Sequence, residues 1–487
     1  MTYPGQLNPA ITTAGPTHVV ADNIFNGLIQ FDENLKPQPA LAESWAISPD
    51  GKAYTFQLAR GVRWHDGKPF TSADVKFTFE EVLLKFHART KAGLENVLTG
   101  IDVPDDYTVV FRFREPYAPL LRRLDVVEAP IVPRHIYEGT DILKNPANNR
   151  PVGTGPFKFV EYVPGDRVVL ERNDDYFRPG LPYLDRVVFK VIPQPSTAVL
   201  ALEQGEVDYL WTVPGPEIPR LQANPGIILA KAPAGPGGSF CIDTLIFNMR
   251  RPPFNQVEVR RAFAHAINRQ QLLEQVYFNQ GRVATGPIAS TMTWAYTPDV
   301  TRYDYNPNEA IRLLDGAGYR PGPDGRRFRV TFVHASTYGR VAEVIRDNLA
   351  RVGVDVELVT LEFNAAVDRV FVKAEFDLGI ASYCNGPDPE IGVTRMYVSS
   401  NIKPIPFSNG AAYVNPQIDE LFARAATSVD EARRAAIYHE IQRVLTRDLP
   451  YLWLIETEGY RAFRKEIRDL RIWAGDLLER AWREQTR

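Results

Sequence analysis

Apolar and polar residues alternate along Tyr54-Thr-Phe-Gln-Leu58, the period of a half-buried strand. His65-Asp-Gly67 then reads as a turn. Thr71 is placed to cap a helix, and Asp74 favours its positive end. That helix carries Val75, Phe79, Val82 and Phe86 on one face. Further strands are predicted over 107–113, 157–162, 186–192 and 207–211, with a helix over 196–204 closing at Gly205. Residues 232–238 are rich in Gly and Pro and read as a boundary.

Beyond that boundary the rhythm changes. A strand is predicted over 240–248, and a long helix over 257–278 that stops at Gly281. Asn306-Pro-Asn-Glu309 supplies an N-cap, a first-turn proline and a capping-box glutamate for the next helix. Strands over 328–333, 354–361 and 376–382 then alternate with helices over 340–351 and 365–373. Strand-helix-strand units of this kind build a layered α/β domain. A helix over 431–446 and a strand over 451–456 follow.

The chain has 487 residues, more than one core usually serves, so two or three domains are expected. Its 44% hydrophobic and 24% charged content is ordinary for a globular protein. A net charge of −3 argues against a nucleic-acid or acidic-lipid surface. No apolar run approaches the roughly 18–20 residues that span a bilayer. Met1-Thr-Tyr-Pro-Gly5 has neither the basic nor the apolar segment of an export signal. Two cysteines, Cys241 and Cys384, form neither a disulfide framework nor a zinc set. Two buried thiols are the first expectation; a single disulfide is the alternative in an oxidising compartment.

Several motifs occur in order: Asn23-Ile-Phe-Asn-Gly-Leu-Ile-Gln-Phe-Asp32, Ala42-Glu-Ser-Trp45, Arg63-Trp-His-Asp-Gly-Lys-Pro-Phe70, and Gly153-Thr-Gly-Pro-Phe157. Arg172-Asn-Asp-Asp-Tyr-Phe177, Val259-Arg-Arg-Ala-Phe-Ala-His-Ala-Ile-Asn268 and Tyr305-Asn-Pro-Asn-Glu309 continue the series. The chain thereby resembles, over nearly its whole length, the extracytoplasmic solute-binding proteins of peptide, nickel and opine ABC importers, family 5.

The resemblance implies an α/β, periplasmic-binding-protein type II-like bilobal fold with an additional subdomain on lobe I. Lobe I would comprise 1–27, 151–240 and 460–487, the subdomain 28–150, and lobe II 241–459. Hinges would lie near 240–247 and 455–460, and ligand would bind between closing lobes. The function implied is capture of a peptide or peptide-like solute outside the cytoplasm, in the periplasm or its equivalent. The solute would then pass to a membrane permease and its ATPase. The receptor is expected to be a monomer whose export signal has been removed, with no cofactor and no nucleic-acid partner.

Such clefts combine an apolar lining with a few placed polar groups. Trp211, Phe240, Trp294 and Tyr383 lie in segments that border the cleft in relatives. His18 lies in a turn-rich stretch that faces it, and Asn23 heads the first motif. The segment Ser382-Tyr-Cys-Asn-Gly-Pro-Asp-Pro-Glu390 follows a strand, where ligands of α/β units usually lie. Dipeptide receptors of the family carry an Asp here for the ligand's ammonium group. Asn385 takes that position without its charge, and Asp388 is near enough to substitute. Their Arg for the ligand carboxylate has no counterpart, His334 being nearest. A short peptide with two free ends is therefore disfavoured against a longer or capped peptide, an opine-like conjugate, an oligosaccharide or a nickel chelate.

Catalytic signatures are absent. There is no Walker loop, no Gly-x-Ser-x-Gly elbow and no second His at metalloprotease spacing from His439-Glu440. The seven histidines are scattered and build no metal cage; His65 and His265 read as structural. A hydrolase using Asp174 and Asp175, or Asp388 and Glu390, is the reading from another class. A holder of unfolded chains is a third.

Overall fold

The computed structural model describes residues 4–12, 14–233, 240–472 and 478–484. The Gly/Pro-rich residues 234–238 lie outside them. The chain divides into two compact units, Met1–Ser239 with Gly459–Arg487, and Phe240–Glu458. The described chain's second passage between units lies inside the strand Tyr451–Arg464, which runs eight residues beyond the expected end at 456.

The first unit contains a four-stranded antiparallel sheet in the order Ala42–Ile47, Ala53–Leu58, Thr108–Phe113, Leu98–Asp105. Tyr54, Phe56 and Leu58 point to the buried face, as the alternation requires. The helix after Thr71 begins as Ser72–Phe77 and continues through a wider-wound turn to Phe86. Asp74 accepts the Thr71 N–H at 3.0 Å. Phe79 meets Phe111 edge-on at 4.9 Å, and Phe111 meets Phe56 at 5.6 Å. Burying each such ring is worth about 2–3 kcal/mol relative to exposure. A second sheet joins Phe157–Val163, Arg167–Arg172 and Arg186–Lys190 as a meander. One apolar core includes residues from Leu7 to Leu170.

The motifs of this unit are tied to one another. Gly155 N–H donates to the Ile24 carbonyl (2.8 Å), and Phe157 N–H to that of Asn23 (3.2 Å). Thr154 Oγ1 donates to Asn26 Oδ1 at 3.0 Å. A Cβ on Gly153 would lie 1.9 Å from the Ile24 oxygen, and one on Gly155 2.5 Å from it, so only glycine lets the segments meet. His65 clamps the same turn. Its Nδ1 accepts the Gly153 N–H (3.2 Å) and its Nε2–H donates to the Gly155 carbonyl (3.0 Å). Burial holds its pKa down at about 4, and the ring stays neutral. Asn173 closes the knot with a bond to the Gly155 carbonyl at 3.0 Å.

The second unit has the expected α/β layering. Phe328–Ala335 pairs in parallel with Val354–Leu361, and the helix Gly339–Ala350 makes the crossover. Its Val341, Ala342, Ile345 and Leu349 form the buried stripe. Leu378–Asn385 pairs in parallel with Phe328–Ala335 and antiparallel with Phe240–Phe247. Asn306 caps its helix by accepting the Glu309 N–H at 3.1 Å, while the Glu309 carboxylate turns to Arg312.

Two expectations are corrected here. The long helix over 257–278 is two helices, Val257–Ala266 and Arg269–Gln275. The break is made by Asn268, whose side chain accepts the Gln271 N–H at 3.0 Å and restarts the helix. Cys241 and Cys384 are not free thiols: they stand opposite each other on neighbouring strands and form a disulfide.

Candidate functional site

Leu378–Asn385 ends at Asn385, which lies opposite Phe240 in the sheet. The chain then makes a tight loop in which Gly386 N–H reaches the Ile391 carbonyl (2.7 Å) and Ile391 N–H the Asp388 carbonyl (2.8 Å). Gly392 has φ +119°, and a Cβ there would stand 2.7 Å from Asn385 Oδ1. The loop therefore needs glycine at 392 both for its backbone and for the Asn385 side chain. Asn385 is 1% exposed, and among the described residues its Oδ1 finds no hydrogen-bond donor. A buried carbonyl left so costs about 1–3 kcal/mol.

Asp388 is fully buried, and both oxygens face Arg434 of the helix Glu431–Asp448. Arg434 Nη2 donates to Oδ1 at 2.8 Å and Nη1 to Oδ2. Nε of Arg434 donates to the Ala425 carbonyl at 2.8 Å. Burial works against the guanidinium charge, but Asp388 outweighs it and raises the Arg434 pKa. Half-buried Trp294 lies 5.4 Å from this guanidinium and meets Tyr438 edge-on at 5.7 Å. Asp388 is thus a carboxylate already paired with a guanidinium inside the protein.

Other expected residues of this unit sit deeper. Tyr383 is 1% exposed, ringed by Phe371, Phe407 and Tyr451 at 6.1–6.2 Å. Its hydroxyl donates to the Ser408 carbonyl at 3.4 Å, and burial raises its pKa far above the phenol range. Phe240 is buried at the head of its strand. His334 uses both ring nitrogens, one with the Ala335 carbonyl (2.9 Å) and one with Thr360 Oγ1 (3.2 Å).

In the first unit, His18 is buried with Nδ1 2.9 Å from Asp22 Oδ1, one helical turn on. Asn23 donates to the Val19 carbonyl (3.2 Å) and accepts the Leu478 N–H (2.8 Å). Trp211 is half-buried under the Arg461 guanidinium at 5.0 Å. The fold thus groups Trp294 and Asp388 through Arg434, with Asn385 three residues away in the same loop. Arg434, Tyr438 and Gly392 were missed by the sequence reading. Arg434, Tyr438 and Gln442 do form a polar line at four-residue spacing on a helix whose apolar neighbours are buried, and that was the available signal.

The profile described as bacterial extracellular solute-binding proteins, family 5 Middle, matches residues 36–404. The chain belongs to this family. Family 5 proteins are solute-binding proteins of transport systems, and the α/β fold here is theirs. The chain is 28% identical over 495 residues to di/tripeptide-binding protein 1 of Pseudomonas aeruginosa (strain UCBPP-PA14), covering 96% of this chain and 90% of that one. Among solved structures it resembles the periplasmic binding protein DppA of Helicobacter pylori in complex with the peptide STSA. That match has a TM-score of 0.83 and 28% identity, over 99% of this chain and 97% of the other. It also resembles AgaA from A. tumefaciens R10 in complex with agropinic acid, with a TM-score of 0.81 and 26% identity, over 100% and 98% of the two chains. Among the described residues no helix is long and apolar enough to cross a membrane.

Proposed function

We propose that this family 5 protein is the receptor of an ABC importer for a peptide or peptide-like solute without two free charged ends. It works outside the cytoplasm, in the periplasm or its equivalent, as a monomer. It hands the solute unchanged to a permease driven by an ATPase. The observation that carries the ligand reading is the contrast within one loop. Asp388 is neutralised by Arg434, while the Asn385 carbonyl is buried and unsatisfied. Such a site offers an acceptor for a neutral N–H and no charge for an ammonium group. Trp294 supplies half-buried aromatic surface for the body of the solute.

An opine-like conjugate is the second reading. It fits the same neutral acceptor and the likeness to AgaA, whose complex holds agropinic acid. Native mass spectrometry of the purified protein, with release of whatever co-purifies, separates the two. A thermal-shift panel of free, N-capped and longer peptides and opines follows, with capped ligands expected to stabilise more than free dipeptides. Trp294→Ala should then weaken binding by about 1–3 kcal/mol. Preference for a free dipeptide, or unchanged affinity in that variant, goes against this site.

A further inference from the structure

The two cysteines sit where one strand runs out of neighbours. Phe240–Phe247 is paired on both flanks near its head: Cys241 stands opposite Cys384 on one side and opposite Thr457 on the other. Thr457 Oγ1 also donates to the Cys241 carbonyl at 3.2 Å. Leu378–Asn385 is held less evenly. Its pairing with Phe328–Ala335 covers only Leu378 and Gly379. From Ile380 to Asn385 its described strand partner lies on one side alone, Phe240–Phe247. Asn385 and Phe240 make the last pair of that ladder. Strand ends open first when only one ladder holds them. The Cys241–Cys384 bond, one pair in from the end, ties this one-sided strand end down.

The loop beyond is anchored separately, because Asp388 pairs with Arg434. Breaking the sulfur bond therefore frees the short run between Cys384 and Asp388, with Asn385 in it. The ladder from Ile242–Tyr383 to Phe247–Leu378 needs no sulfur and stays. The two cysteines are unequally accessible: Cys241 is 6% exposed, while Cys384 is half-buried. Cys384 Sγ is thus the atom that an incoming thiolate reaches.

We propose that Cys241–Cys384 is a redox latch on the Asn385 loop, opened by a dithiol reductant. One thiolate of the reductant attacks Cys384 Sγ, and Cys241 leaves as a thiolate that takes up a proton. The second thiolate of the reductant attacks the reductant's own sulfur in the mixed disulfide, and Cys384 leaves in turn with a proton. The reductant ends as a disulfide and this protein as a dithiol. Closed, the latch presents Asn385 in one place; open, it lets that strand end fray while the unit stays folded. What the latch means for solute capture rests on the ligand reading above, but the latch itself does not, and it is tested without solute.

The test treats the folded full chain with dithiothreitol at neutral pH without denaturant. Free thiols are trapped with iodoacetamide and counted by mass spectrometry. Both cysteines are expected to be alkylated while the far-ultraviolet circular dichroism stays that of the oxidised chain. Hydrogen exchange should then rise several-fold in peptides covering 384–388 and hold steady across 153–157. The double variant Cys241→Ser/Cys384→Ser should exchange like the reduced chain and ignore dithiothreitol; should it fail to fold, the wild-type comparison decides alone. A bond that yields only in denaturant overturns the latch. So does a reduced chain whose 384–388 peptides exchange as before, or one that unfolds throughout. A ligand panel without a hit leaves each of these results standing and counts against the ligand reading only.

Discussion

The knot around Gly153–Gly155 and the loop around Asn385–Asp388 are both short, glycine-bearing turns, yet they use polar groups differently. In the knot, His65, Asn173 and Thr154 each spend their hydrogen bonds on a neighbouring segment. In the loop, Asp388 and Arg434 satisfy each other while the Asn385 carbonyl is left over. The knot holds the motifs that most resemble family 5, and they act as scaffold. The loop holds the departures from the family pattern, and it leaves one buried acceptor over. Family likeness in this chain therefore marks framework more than recognition.

The comparison can be broken most forcefully at the loop. Arg434→Met leaves the buried Asp388 carboxylate without its guanidinium partner, and should cost about 3–5 kcal/mol. Calorimetric unfolding reads it, and a loss under 1 kcal/mol would mean that Asp388 had found water. Replacing both cysteines by serine removes a link between residues 143 apart, and should lower stability by about 2–4 kcal/mol. If the double variant melts as the parent does, the strand pairing alone fixes the loop.

At the knot, Gly153→Ala drives a methyl group into the Ile24 carbonyl, and should cost about 1–3 kcal/mol. Unchanged denaturant midpoints would show that the segments can part cheaply. The last test concerns pH. His65 titrates near 4 when folded and near the ordinary 6.5 when unfolded, so the unfolded chain takes the proton first as pH falls. The knot's contribution is complete above about pH 6.5 and is lost between there and pH 4, on the order of 3 kcal/mol. His65→Gln should flatten that part of the stability profile, and an unaltered profile would assign the acid sensitivity elsewhere.

Much of this was legible beforehand. The alternation at Tyr54–Leu58, the Asn306 cap and the strand-helix-strand run of the second unit follow from local periodicity and capping chemistry, which need no distant partner. The break at Asn268 was not read, because an N-cap inside an apolar period looks like one more polar helix position. Asn385 and Asp388 were found by their place after a strand. That Asp388 is consumed was invisible, since Arg434 is 46 residues away.

By itself the sequence determined the family, the layering of the second unit and the positions of most turns. Those depend on side-chain period and on residues whose backbone preferences act over a few positions. Which polar groups are spent and which are left over was settled by packing alone: the Cys241–Cys384 bond, the Asp388–Arg434 pair, the bare oxygen of Asn385. The physical reason is that a buried charge or hydrogen bond is settled by whatever group folding places within about 3 Å, and that partner can come from anywhere in the chain.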